Sequence, residues 1–329
     1  MPPFRAFRIH EEQGKVRAGF ESLTVEDLPA GEVLVRVTCS SINYKDALAA
    51  TGAGKILKRT PLTGGIDLAG VVESSSDARY ASGDRVLVTG CGLSETHDGG
   101  YAEYARVPGD WVIPLPPGLD EMGAMGLGTA GFTAALAIHK MQHMGLTAGT
   151  APVAVTGASG GVGTIAIDLL AGSGHEVVAI TGKAQAASYL KELGAARVLA
   201  RSEIPSGGRP LETAQFAGAI DNVGGEMLAW LTRTVGFWGS IASVGLAGSA
   251  ELKTTVMPFI LRGVNILGIN SSATSRELRL AVWQRIASDL KPAHLGRIVT
   301  RVIRFEELPQ AFEAYLSGSV TGRTVVKIS

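Results

Sequence analysis

Cysteine is nearly absent from this chain: there are two in 329 residues, Cys39 and Cys91. Two cysteines cannot build a disulfide framework, and a reducing compartment suits them. Neither belongs to a Cys-x-x-Cys pair, so a zinc knuckle is excluded on ligand count alone. An excess of charge of one sign is also missing. Lys and Arg number 30, and so do Asp and Glu; no overall field draws nucleic acid or an anionic membrane, and only local clusters can act that way. Glycine and charge interrupt every apolar run before membrane-spanning length, and Met1-Pro2-Pro3-Phe4-Arg5 lacks the apolar core of a signal peptide. Repeats at solenoid spacing and low-complexity tracts are absent too. The expectation is a soluble, cytoplasmic protein with neither nucleic-acid nor membrane partners.

What is present is a globular composition, 46% hydrophobic and 18% charged, at a length that makes two domains. The first third reads as β-rich. Phe4–Ile9, Val33–Thr38, Gly70–Glu73 and Arg85–Thr89 carry strand patterns, separated by turn signals such as Ser82-Gly83-Asp84 and Pro114 to Gly118. From Met122 the pattern changes to an alanine-rich helical stretch, Gly128–Met144, and then to strands interleaved with helices: Glu176–Thr181, Arg197–Leu199, Phe216–Asn222, Ser240–Val244 and Asn265–Ile269 as strands, Ala184–Leu193 as a helix. Such alternation predicts a parallel sheet covered on both faces. A helix from Thr274 toward Leu290 follows, and Arg297–Phe305 and Thr324–Ile328 then flank an amphipathic helix at Leu308–Leu316. This last piece resembles the first third. The prediction is a nucleotide domain inserted into a discontinuous β-rich domain, with a cleft between them.

The stretch that organises the middle is Pro152 to Gly163, a short apolar run that ends in Gly157, Gly160 and Gly163. An apolar helical pattern starts at once with Val162, Ile165, Ala166, Leu169 and Leu170. Strand, glycine turn and helix together aim helix-start N–H groups at a phosphate, so Ser159, Gly160, Gly161 and Val162 are candidates to hold a pyrophosphate. A plain glycine-rich turn is the bland alternative. The next strand ends Ile180-Thr181-Gly182-Lys183. Dinucleotide folds that prefer NADH place an acid there to hold the ribose 2′-hydroxyl. Here a hydroxyl, an open backbone and an ammonium stand instead, which favours the 2′-phosphate of NADPH. Thr181, Gly182 and Lys183 are therefore cofactor candidates, and Arg201 offers a second cation with a planar fork. The alternatives are that Lys183 caps the strand end and that Arg201 is a solvated loop charge.

Several stretches, in order, resemble a known family: Ser41-Ile-Asn43-Tyr44-Lys45-Asp46, Gly65-Ile66-Asp67-Leu-Ala-Gly70, Gly83-Asp84-Arg85-Val86, Gly99-Gly100-Tyr101-Ala102-Glu103, Thr156–Gly163 and Gly322-Arg323-Thr-Val-Val-Lys327. They are similar to the medium-chain dehydrogenase/reductase superfamily, zinc-independent quinone-oxidoreductase-like branch, across essentially the whole chain. Val244 to Gly248, Met257 to Val264 and Leu267 to Ser271 are similar to its acrylyl-CoA reductase group, which shares its name with quinone oxidoreductases. The resemblance implies an α/β protein: a GroES-like catalytic domain at 1–124 and 295–329, a Rossmann NADPH-binding domain at 125–294, and a homodimer formed through the nucleotide domains. It also brings Leu246, Ile260 and Ser272 beside the cofactor. Zinc-dependent relatives carry Cys where Asn43 stands and a His-Glu pair where Ile66-Asp67 stands; with those ligands and the four-cysteine lobe missing, no metal is expected. His139 and His143 share a helix face but lack a third ligand.

Without a metal, the favoured chemistry is addition of hydride to the β-carbon of an α,β-unsaturated thioester such as acrylyl-CoA. Donors must then meet the charge that builds on the thioester oxygen, and a proton must reach the α-carbon. Tyr44, Asn43 and Asp67 are the catalytic candidates. Tyr44 would pack on nicotinamide or ribose and offer its hydroxyl; Asn43 would donate its amide; Asp67 would orient Asn43 or a water. Against these stand an Asx-type turn with a buried phenol, and a strand-end hydrogen bond at Asp67. Lys55, Lys58 and Arg59 form a basic cluster that either meets the phosphates of CoA or is a solvated loop. Two other readings remain open: reduction of a quinone or free enone, and a non-catalytic NADPH-binding sensor or structural protein.

Overall fold

The computed structural model describes residues 1–329, which pack as two compact units: Met1–Thr129 with Ser271–Trp283 and Val299–Ser329, and Ala130–Asn270 with Gln284–Ile298. Ser271–Trp283 thus groups with the first unit, although the sequence pattern runs it on from the nucleotide domain.

The first unit is built on a seven-stranded sheet. Its path runs Val299–Arg304, Arg323–Lys327, Val33–Ile42, Asp67–Ser75, Arg85–Thr89 and Ile113–Pro114, with Tyr104–Val107 pairing off Val33–Ile42. Val33–Ile42 is the central strand and nearly all of it is buried. Its alternating valines pack with Phe7, Ile9, Tyr101 and Phe312 in one core. A smaller sheet pairs Lys15–Leu23, Phe4–Glu12 and Leu62–Thr63. The helix Leu308–Leu316 lies where its apolar pattern predicts and buries Leu308, Ala311 and Phe312.

A short helix, Tyr44–Thr51, leaves the end of the central strand. Asn43 is its extended N-cap, and the Asp46 carboxylate takes the Asn43 backbone N–H at 2.8 Å; a carboxylate there also faces the positive end of the helix dipole. The long helix Glu121–His143 is interrupted at Gly128, where φ is 53° and ψ −153°. A side chain at 128 would meet Asp67 Oδ2 at 2.5 Å. The break lets the backbone approach that carboxylate directly.

The second unit holds a six-stranded parallel sheet in the order Arg197–Ala200, Val177–Thr181, Val153–Thr156, Phe216–Asp221, Val235–Ser243, Asn265–Gly268. Val153–Thr156 and Val177–Thr181 are buried along their whole length, as strands covered on both faces must be. From Val153–Thr156 the chain first winds outward to one side and then returns to Phe216–Asp221 on the other. The switch point therefore lies between those two strands, which is where doubly wound sheets bind ligands beyond their carboxyl ends.

Candidate functional site

The glycine turn sits at that switch point. Gly161–Gly172 is helical directly after it, and Gly160 supplies no side-chain cap. The N–H groups of the first turn lack helical partners by geometry and keep their partial positive charge available. A Cβ on Gly163 would come within 2.5 Å of the Gly157 carbonyl oxygen, so helix and turn pack this tightly only with glycine. The Ala158 N–H donates to the Ile180 carbonyl at 3.1 Å, tying the turn to the next strand.

The second phosphate feature gathers at the end of that strand. Ser159 Oγ and Thr181 Oγ1 lie 3.1 Å apart, and the Lys183 N–H donates to Thr181 Oγ1 at 3.1 Å. Gly182 is exposed, and a Cβ there would meet nothing within 4 Å. Burial holds the Lys183 ammonium below its ordinary pKa, a cost that a bound anion would offset. Parallel pairing of Thr181 with Ala200 puts Arg201 alongside Gly182 at the same edge. Arg201 is exposed, and its guanidinium reaches to within 3.4 Å of where a Gly248 Cβ would stand. Leu246 and Ile260 are 67% and 73% exposed on a loop and a short helix of the same unit.

Sequence reasoning missed Asn222 here. Its backbone N–H donates to Thr156 Oγ1 at 2.9 Å and its Nδ2 to the Thr156 carbonyl at 2.8 Å. That fixes the amide so that Oδ1, which is buried, has no partner. An orphaned acceptor costs roughly 1–3 kcal/mol. Beside the glycine turn, it fits a site completed by a ligand that donates hydrogen bonds, such as a ribose. The one available signal was a polar Asp-Asn pair ending an apolar strand. The uncapped helix start, the open strand end with its ammonium and this acceptor together fit a dinucleotide with an extra phosphate.

In the first unit, Asn43 and Asp67 belong to one buried network. Asp67 has no solvent exposure. Its Oδ1 accepts the Thr129 N–H at 2.9 Å and the Thr129 hydroxyl at 2.6 Å; its Oδ2 accepts the Ser41 hydroxyl and the Asn43 amide, both at 2.7 Å. An ionised carboxylate offers about four acceptor positions, and all are filled. Arg323, 2% exposed, stands 3.9 Å from Asp67 and donates to Ser41 Oγ, the Ile42 carbonyl and Asn43 Oδ1. The second amide hydrogen of Asn43 faces Asp46 Oδ2 at 3.2 Å. Burial, and then the charge of Asp67, push the Asp46 carboxyl up to about 7. Neither Asn43 nor Asp67 presents a free donor outward. Tyr44 is the first residue of its helix and 49% exposed, so the buried-phenol alternative does not describe it.

Ser272 lies on a loop packed on Gly90, whose Cβ would stand 3.1 Å from the Ser272 Cα. Gly90 in turn donates to the Ile66 carbonyl, next to Asp67. His139 and His143 stack with ring centroids 4.5 Å apart on one helix face. No three His, Cys, Asp or Glu side chains are grouped to hold a metal ion. The donor chemistry at Asn43 and Asp67 does not fit one either, since each oxygen of Asp67 already faces hydrogen-bond donors. No helix is long and apolar enough to cross a membrane.

A GroES-like unit joined to a doubly wound dinucleotide sheet is the architecture of a class of oxidoreductases. Residues 29–117 match the alcohol dehydrogenase GroES-like domain and residues 161–288 the zinc-binding dehydrogenase family. The chain belongs to the medium-chain dehydrogenase/reductase superfamily, in the group that contains acrylyl-CoA reductase AcuI and YhfP. It is 48% identical to "Acrylyl-CoA reductase AcuI" of Ruegeria pomeroyi over 97% of both chains. It is 46% identical to "Putative quinone oxidoreductase YhfP" of Bacillus subtilis over 99% of both, whose crystal structure with NAD bound superposes with a TM-score of 0.97 over 100% of both chains. The yhdH oxidoreductase of Salmonella enterica in complex with NADP superposes at 0.95, with 45% identity, over 99% of this chain and 100% of that one.

Proposed function

We propose that this protein reduces the carbon–carbon double bond of a short α,β-unsaturated acyl-CoA, acrylyl-CoA to propionyl-CoA, with NADPH. The observation that carries the reading is the near-half identity to an acrylyl-CoA reductase along the whole chain, joined to a strand end that offers Lys183 and no acid. NADPH, when bound, supplies the hydride that adds to the β-carbon. Ser159, Gly160, Gly161 and Val162 hold its pyrophosphate through helix-start N–H groups. Thr181, Gly182, Lys183 and Arg201 receive the 2′-phosphate. Asn222 accepts from a ribose hydroxyl, and Leu246, Ile260 and Ser272 border the nicotinamide end.

In the first unit Tyr44 meets the substrate, packs beside nicotinamide and gives a proton to the α-carbon. Asp67 and Asn43 act through position. Locked to each other, to Arg323 and to Thr129, they hold the head of the Tyr44 helix in one place. On this reading Asp67 orients Asn43 rather than a water, and Asn43 keeps no amide hydrogen for the substrate. The protein is a homodimer joined through its nucleotide-binding units. Both cysteines are free thiols, which suits the cytoplasm.

Reduction of a quinone or free enone is the second reading, favoured by the name of YhfP. Parallel assays of NADPH oxidation with acrylyl-CoA, crotonyl-CoA and a quinone separate the readings. We expect kcat/KM for acrylyl-CoA to exceed that for the quinone at least tenfold. A quinone preference would overturn the assignment, and tight NADPH binding with no turnover would make the protein a sensor.

A further inference from the structure

The first unit contains a cavity of about 450 Å³ that no catalytic step above uses, a volume within the range of small-molecule sites. Its walls include Cys91, Glu95, Trp111 and Ser272, with Lys58 on one side. The backbone around it is held in place from several directions. Cys91 and Ser94 adopt left-handed φ values of 55° and 59°, a conformation that persists in ordinary residues only where the surroundings impose it. Arg279, on the opposite wall, is 1% exposed and donates to the carbonyls of Thr89, Ser271 and Ser272. Glu95 receives Lys45 Nζ at 2.6 Å, and Lys45 is the chain neighbour of Tyr44.

The cavity is chemically mixed. At one side, Ser272 packs on Gly90, in the loop assigned above to the nicotinamide end. At the other, the Lys58 N–H donates to the Glu95 carbonyl at 2.8 Å. That bond fixes the basic segment as a cavity wall, and the neighbouring Ile56 and Leu57 pack on the core. Lys55, Lys58 and Arg59 are all exposed, with Lys58 3.8 Å from Glu95 and Arg59 4.0 Å from Asp98. A ring, a thiol, hydroxyls and a carboxylate line the cavity together with Lys58, and Lys55 and Arg59 lie within three residues of it in the chain: the mixture suits a ligand with an apolar reacting end, an amide-bearing arm and phosphates. A neutral quinone would use the Trp111 ring and leave the cations idle.

We infer that this cavity is the channel for the tail of a CoA thioester, with Lys55, Lys58 and Arg59 meeting its phosphates. The inference rests on the proposed acyl-CoA reduction and adds to it the part of the chain that recognises CoA. The test compares acrylyl-CoA with the acrylyl thioester of N-acetylcysteamine, which has the same reacting group and no phosphates. Replacing Lys55, Lys58 and Arg59 together by Ala should raise KM for acrylyl-CoA about tenfold or more, as loss of charge-assisted contacts does, with kcat within about twofold. The short thioester should lose far less. Added salt should weaken acrylyl-CoA binding in the wild type and not in the triple variant. Calorimetric titration with coenzyme A alone, without NADPH, should show the same loss of affinity. Thr96→Trp, which fills the cavity from an exposed position, should penalise the CoA ester more than the short one. If the wild type reduces both thioesters and the triple variant loses neither KM nor CoA affinity, the channel assignment falls and the reductase stands. If the wild type reduces neither thioester, the reductase reading falls first.

Discussion

Asn43 donates both of its amide hydrogens to carboxylates, whereas Tyr44, the next residue, is 49% exposed. That difference makes Tyr44→Phe informative. If the hydroxyl delivers the proton, kcat with acrylyl-CoA should fall by about 100-fold or more, while NADPH affinity, read by fluorescence, stays within about twofold because the ring remains. Unchanged kcat would make Tyr44 a packing ring and pass the proton to water. In the second unit, Lys183→Glu reverses charge where the 2′-phosphate is proposed to sit. KM for NADPH should rise at least tenfold, and KM for NADH should stay the same or fall; equal effects on both cofactors would move the phosphate elsewhere. Asp67 is visible in the sequence as the acid of the stretch Gly65-Ile66-Asp67 that carries the family resemblance, but its task is not. Its partner Arg323 lies 256 positions away, and no local spacing reports a contact of that kind.

At the scale of elements, the head of the helix Tyr44–Thr51 joins local chemistry to stability. Asp46 is 1% exposed and accepts the Asn43 and Ile66 N–H groups at 2.8 and 2.9 Å. Its pKa, about 7, lies above the ordinary carboxylate value near 3.9. The folded state therefore binds this proton more tightly than the unfolded chain does. The contribution to stability is complete below about pH 4 and is lost as pH rises through about 7. Denaturant midpoints at pH 5 and pH 8 should show the wild type losing stability at the higher pH, and Asp46→Asn should remove that step whatever its absolute level. The same helix also marks where the sequence pattern stops being readable. Its eight residues follow an N-cap that opens an Asn-x-x-Asp pattern, which resembles a turn, and include three alanines, which give no apolar stripe. The strand Lys15–Leu23 alternates only weakly, Val16, Ala18 and Phe20 against Lys15, Arg17, Gly19 and Glu21, and none of its residues is buried. Arg85–Thr89, a short continuous buried run after a Ser-Gly-Asp turn, and Leu308–Leu316, whose buried residues follow a helical period, are by contrast legible to the residue.

For the molecule as a whole, the open question is what covers the outer edge of the parallel sheet. Asn265–Gly268 is its last strand and pairs only with Val235–Ser243, which leaves a row of backbone groups able to accept another strand. Around it stand Phe237 and Trp238, 73% and 75% exposed, and Val256, Ile260 and Leu261, at 65%, 73% and 54%. The Trp238 ring lies against the backbone at Gly263, where a Cβ would meet it at 2.5 Å, so edge, ring and helix form one apolar face. Exposed aromatic anchors beside an unpaired edge are the ingredients of an interface, and the opposite edge strand, four residues opening on Arg197, offers less. A homodimer through this face should have about twice the 34.1 kDa chain mass by light scattering. Leu261→Asp, on an exposed position with no part in the proposed cofactor site, places an uncompensated charge on that face. It should shift the mass to that of a single chain while the far-ultraviolet circular dichroism stays native. A dimer that survives Leu261→Asp and Trp238→Ser together would place the interface on another surface.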